Sequence, residues 1–184
     1  MNVQVRFLLS ALLTTIMMFP VMPVEAASKK ELDATVNEAL EKLYKERPAA
    51  KELGEQAEGI LVFPSVKKGG LGAIGGGYGE GALLIDGNIR DYYRTVSASY
   101  GFQLGFQART EIIMFMTSSA LVNFQNSWGW EVGVDGGVAI AEFGAGGSIK
   151  SETLMHPVIG FILDSKGLMY NLTLEGSKIT KIEK

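Results

Sequence analysis

Residues 69–81 read GGLGAIGGGYGEG, eight glycines in thirteen positions, directly after Lys67 and Lys68. A helix does not tolerate that density, since each interior glycine costs about 1 kcal/mol relative to alanine. A floppy linker does not fit either. Ile74, Tyr78, Leu83 and Leu84 interleave with the glycines, and the stretch joins two strand-like runs, ILVFP before it and ALLI after it. Glycine inside a strand marks a bulge, a sharp bend or the close approach of another backbone. The segment is therefore expected to be a strand that must pack tightly. Of the 23 glycines, all but Gly54 lie from Gly59 onward, a distribution that suits a curved or closed sheet, in which small residues relieve crowding at bends.

A phosphate cradle is the competing reading. Gly70, Gly72 and Gly75 match G-x-G-x-x-G, but a dinucleotide site needs a helix after the glycines so that its N-terminus meets the pyrophosphate. More glycine follows instead. There is no Gly-Lys-Ser or Gly-Lys-Thr in the chain, so no P-loop is available.

The rest of the chain sets the context. Arg6, the apolar run FLLSALLTTIMMF, Pro20, Pro23 and the small residues around Ala26 have the layout of an export signal. Cleavage after Ala26 leaves 184 − 26 = 158 residues, one ordinary domain over 27–184. That predicts a periplasmic or secreted protein. The net charge of −3 offers no basic face for nucleic acid. The chain has no cysteine, which excludes disulfides, thiolate metal sites and a cysteine-linked lipid.

Ser28 with Glu31 three residues on has capping-box spacing. Leu32, Val36, Ala39, Leu40 and Leu43 then recur on one helical face. That face is expected on the core, with contact to a lipid surface as its alternative use. Pro48 is placed to open a second short helix, which Gly59 would end. From there strands are expected: ILVF stopped by Pro64, a hairpin at Asp86-Gly87-Asn88, the alternating YGFQLGFQ, a buried EIIMF, a helical turn capped by Ser118 or Ser119, and an alternating WGWEVGVDGGVAI with Trp130, Val132, Val134, Val138 and Ile140 on one face. A closing meander follows: PVIGFIL, a turn at DSKG, LMYNLTLEG and KITKI. The class is α+β: helices at the start packed on a strongly bent, mostly antiparallel, glycine-rich sheet of barrel-like curvature.

Catalytic chemistry finds little to use. His156 is the only histidine and precedes Pro157, so it is extended and is read as structural. One histidine without cysteine does not make a common zinc site. No G-x-S-x-G elbow exists. The reading is no enzyme, no metal and no cofactor; a hydrolase of unrecognised type and a small outer-membrane barrel are the alternatives. Export and the YGFQLGFQ alternation permit the barrel. The helical start and the continuous IIMFM argue against it.

The order of segments resembles the SYLF lipid-binding domain family, also labelled actin-binding through its yeast members. AEGILVFPSVKKGGLGAIGGGYGEGALL is similar to its opening signature, YGFQLGFQARTEIIMFM to its middle strands, WEVGVDGGVAIAEFGAGG to its later Gly-Val-Asp segment and SKGLMYNLTLEGSKI to its closing hairpin. The resemblance spans roughly residues 32 to 182. Where family members often carry a tryptophan and a proline after the hairpin, this chain has DYYRTVSAS, with Tyr92 or Tyr93 in that role. The resemblance implies a single α+β unit that binds lipid and has no catalytic residues. Its eukaryotic relatives take phosphoinositides; an exported chain meets neither those nor actin, so an anionic or acyl lipid at a membrane surface is the expected partner. Lys67, Lys68, Arg90 and Arg94 flank the glycine segment and its hairpin and are the expected cationic rim, with Trp128 as an interfacial residue and Trp130 in the core.

Overall fold

A computed structural model describes residues 28–143, 147–164, 167–168, 174 and 176–184, with the backbone alone at 71–74, 99–106, 164 and 167–168. The export-signal reading of residues 1–26 and most of LMYNLTLEG lie outside the described residues.

Helix α1 (Lys29–Glu46) begins at Ser28, whose hydroxyl accepts from the Glu31 amide. It buries Leu32, Val36, Ala39 and Leu43. The apolar face is thus spent on the core rather than left for lipid. Helix α2 (Pro48–Gly54) has its proline in the first turn, where a missing N–H does no harm. It ends at Gly54, and Gly59 instead opens the first strand.

Two very long strands follow, β1 (Gly59–Ile85) and β2 (Asn88–Phe115), of 27 and 28 residues. They pair antiparallel along their whole length. The two-residue turn between them has φ of 51° at Asp86 and 72° at Gly87, the doubly positive pattern of the hairpin turn that matches strand twist. Pro64 does not stop β1. The register slips between Phe63 and Val66, so Pro64 sits in a bulge where no ladder amide is needed. Thr110 Oγ1 donates to the Pro64 carbonyl at 2.9 Å.

Straight, such a ribbon would reach about 90 Å, roughly three times the ~30 Å span of a small domain. It folds back on itself instead. A Cβ on Gly79 would stand 2.9 Å from Val66 Cγ2, one on Gly77 would stand 3.1 Å from Lys68 Cγ, and one on Gly81 would overlap the Val62 carbonyl oxygen. Gly77, Gly79 and Gly81 alternate, so they share one face of β1. That glycine face is what the first half of the same strand lies against.

The chain continues with α3 (Ser118–Asn126), β3 (Trp130–Glu131), β4 (Ala139–Ile140), α4 (Ser151–Leu154), β5 (Val158–Asp164), β6 (Gly167–Leu168) and β7 (Ser177–Ile182). The cap of α3 is Thr117, one residue before the expected serines; its hydroxyl accepts from the Ala120 amide. Sheet order is β3-β7-β2-β5-β4, with β1 on the other edge of β2 and β6 on β5. β2 holds β7 near the turn (Tyr92–Ser97) and β5 at its far end (Thr110–Phe115). The result is an α+β half-barrel, strongly curled and mostly antiparallel. Membrane barrels differ in closing their sheet and turning apolar side chains to lipid.

Both faces of the paired strand bases are buried, which explains their unbroken apolar runs. Ile60, Val62, Ile112 and Met114 pack with α1, while Leu61, Phe63, Ile113 and Phe115 pack with Leu121 and Phe124 of α3. Tyr92 and Tyr93 divide between these cores. The Tyr92 hydroxyl donates to Asp33 Oδ1 of α1 at 2.7 Å; the Tyr93 ring lies 4.9 Å from Phe124. Among the described residues, no helix is long and apolar enough to cross a membrane.

Candidate membrane-facing surface

Trp128 and Trp130 are two residues apart and have opposite environments. Trp130 is 3% exposed, with its ring edge-on to Phe124 and Phe115 at 5.6 and 6.2 Å. Trp128 is 101% exposed. It stands on the short link between α3 and β3. Gly129 beside it has φ of 149°, and a Cβ there would meet Lys178 Cε at 2.7 Å. The Lys178 side chain therefore lies across the backbone next to Trp128.

The sheet register extends this patch. Lys178 pairs with Val96 on one side and Glu131 on the other. Val96 is 46% exposed. Arg94, also exposed, is two residues along β2, opposite Thr180. Cross-strand partners share a face, so Arg94, Val96 and Lys178 are presented together. Val134 is 74% exposed in the turn after β3. The expected alternation fails there because the chain turns back: the Glu131 carbonyl accepts from the Val134 amide at 3.1 Å, and Asp135 Oδ2 accepts from the Glu131 amide at 2.7 Å. Asp135 is thereby engaged with the turn's own backbone. Glu80, on the same face as Arg94, is engaged by the Tyr78 hydroxyl at 2.8 Å and the Lys184 ammonium at 2.6 Å.

The four basic residues of the expected rim are not brought together. Lys67 is exposed, but it alternates with Val66 and Lys68, which face the folded-back arm. Arg94 alternates with buried Thr95 on the opposing arm. Lys67 and Arg94 thus lie on opposite outer faces of the folded ribbon. Arg90 is exposed and is the extra residue of the bulge between Leu83 and Leu84. Lys68 turns inward. Its ammonium is 3.8 Å from Glu111 Oε1, which also accepts from Arg109 Nε at 2.7 Å, and Arg109 and Glu111 are buried. Burial pushes Lys68 below the usual lysine value, against the pull of Glu111 and with a further push from Arg109. Of the five residues singled out from sequence, Arg94 and Trp128 belong to the patch. Val96 and Lys178 complete it; only the strand register reveals them.

Two concavities lie elsewhere and share His156. One, about 570 Å³, is formed where α2, the end of β2 and the segment after α4 meet; Leu53, Met116, Ile149, Leu154 and Met155 supply its apolar wall. The other, about 550 Å³, is lined by Glu142, Lys150, Glu152 and Thr153 beside β4. His156 is exposed, and its amide donates to the Thr153 carbonyl at 3.1 Å. Lys150 is held above the usual lysine value by its hydrogen bond to Glu142, at 2.5 Å.

The sequence profile of the Ysc84 family, described as Las17-binding protein actin regulator, matches residues 96–184. That match covers 89 of the 184 residues, so the likeness to the Ysc84 family is one of the C-terminal part of the chain. This is the family that the motif order resembles under the name SYLF. The Ysc84 match begins inside β2, so it contains Val96, Trp128, Val134, Lys178 and His156, while the glycine-rich β1 and both N-terminal helices precede it. Among curated proteins, none matches the chain significantly.

Proposed function

We propose that the protein is an exported, non-catalytic lipid-binding protein that docks on anionic membrane surfaces through the face formed by Arg94, Val96, Trp128 and Lys178. The observation that carries this reading is Trp128, fully solvated while Trp130 is packed in the core. An indole left in water has apolar area without a protein partner, and tryptophan settles at the headgroup level of bilayers. Lys178 beside it and Arg94 along the strand supply the attraction, each basic residue near an anionic surface contributing about 1 kcal/mol. Export with cleavage after Ala26 rests on the layout of residues 1–26, and the intact mass of the protein recovered from the periplasm or medium tests it.

Vesicle co-sedimentation tests the docking. The protein is expected to sediment with anionic vesicles and little with zwitterionic ones, and less as salt screens exposed charge over about 8–10 Å. The double variant Arg94→Gln/Lys178→Gln should lose most of that binding with thermal stability nearly unchanged. Equal sedimentation of the variant and the parent would remove this face from the reading. The printed description of the Ysc84 family supports a second reading, a protein-binding role linked to actin regulation. Co-sedimentation with filamentous actin, expected to be negative for an exported protein, separates the two.

A further inference from the structure

The chain's single histidine has two methionines for neighbours, one in sequence and one across the sheet. Met155 precedes His156. Met116 is brought to them by the strand register: β2 ends opposite β5 at the Phe115–Val158 pair, and the Met116 amide then donates to the Pro157 carbonyl at 2.8 Å. Met155 ends α4 in a helical conformation, and the His156 amide donates to the Thr153 carbonyl at 3.1 Å. That turn fixes the backbone of both residues before Pro157. Met116, Met155 and His156 all line the concavity of about 570 Å³. Met155 is 79% exposed, His156 is exposed, and Met116 is half-buried against the core behind them. A methionine usually fills gaps inside a core; Met155 fills none.

Two thioethers and one imidazole are a soft donor set. Thioether sulfur selects copper(I), and imidazole suits copper as well. Harder cations ask for other ligands, and among the described residues no group of three or more His, Asp or Glu could hold a metal ion. The rest of the lining agrees with a single positive charge. It contains one carboxylate, Glu52 of α2, and no lysine or arginine. Leu53, Ile149 and Leu154 make part of the wall apolar, and the cost of moving an ion out of water is lower for one charge than for two. We infer that Met116, Met155 and His156 bind one soft monovalent cation, copper(I) or its analogue silver(I), with Glu52 balancing its charge. The site uses none of Arg94, Val96, Trp128 and Lys178, so it neither rests on membrane docking nor competes with it.

Titration of the purified protein, labelled with carbon-13 at its methionine methyl groups, with silver nitrate in chloride-free buffer tests this. Binding should saturate at one silver ion per chain. The methyl signals of Met116 and Met155 should shift strongly and that of Met114, wholly buried two residues earlier, should shift little. Zinc(II) should move none of them. His156→Ala, Met155→Leu and Met116→Leu should each weaken silver binding at least tenfold, while Met114→Leu binds like the parent. Anaerobic competition with bicinchoninate should give the same order for copper(I). His156 and Met155 are exposed, and methionine to leucine nearly conserves volume, so thermal unfolding of these variants should stay near that of the parent and separate lost binding from lost fold. Absence of saturable silver binding would overturn the site. Binding that survives both His156→Ala and Met155→Leu, or zinc(II) bound as tightly as silver(I), would overturn it too.

Discussion

Gly81 is seated against the carbonyl oxygen of Val62, a residue of the same strand, so closely that a methyl group on Gly81 would overlap it. This contact is the reason the glycine segment exists. A ribbon too long for the domain doubles over, and its second half must present bare backbone where it meets its own first half. The obstacle at Gly81 is backbone, which cannot rotate away as a side chain does. Gly81→Ala is therefore expected to destabilise the fold by about 2–4 kcal/mol. Gly76→Ala, where the nearest atom is the Ser97 carbonyl at 3.4 Å, should change stability by less than about 1 kcal/mol. Denaturant unfolding of the pair checks this; equal losses at both positions would mean that the ribbon does not fold over at Gly81.

The ion cluster inside that fold gives an asymmetric prediction. Glu111 is the one carboxylate that Lys68 and Arg109 share in this cluster. Removing its charge with Glu111→Gln takes from the buried Arg109 and the half-buried Lys68 the carboxylate they share and should cost about 1.5–3 kcal/mol. Lys68→Met should lie within about 1 kcal/mol of the parent, because burial already works against the Lys68 charge more strongly than Glu111 supports it. Urea midpoints in which Lys68→Met is the more damaging change would contradict this account of the cluster.

Tyr93 makes the fold sensitive to alkali. Burial, with Asp91 adding to it, pushes the Tyr93 phenol up to about 12, against about 10 for an unperturbed tyrosine. The folded state keeps a proton that the unfolded chain releases first. The stability linked to it is full below pH ~10 and is lost as pH rises through ~12, on the order of 2 kcal/mol. Unfolding free energies of the parent should fall across that window more steeply than those of Tyr93→Phe. Parallel curves would assign the alkaline loss to other groups.

Much of this fold is legible in the chain because it is written locally. The Ser28 cap, the proline at the start of α2, the Asp86-Gly87 turn and the buried EIIMF run each depend on neighbours within a few positions. What is not legible depends on distance. Pro64 reads as a stop because the bulge that accommodates it is made by Thr110 on the partner strand. Lys67 and Lys68 read as a pair on one rim, yet alternation sends one outward and the other onto Glu111, and only the folding of the ribbon decides which is which. Lys178 carries no signal in KITKI. Its place beside Trp128 follows from the pairing of β7 with β3. Val134 continues an alternating pattern, but a turn closed by Glu131 and Asp135 interrupts it.

The membrane-docking account is tested most directly by tryptophan fluorescence. The chain has two tryptophans, and Trp130 is enclosed by Phe115 and Phe124, so a change on adding vesicles reports Trp128. With anionic vesicles the emission of the parent should shift to the blue and be quenched by acyl chains brominated near the headgroup, while Trp128→Phe shows neither effect. Emission that stays that of a solvated indole at vesicle concentrations where the protein sediments would contradict the docking of Trp128 at the membrane.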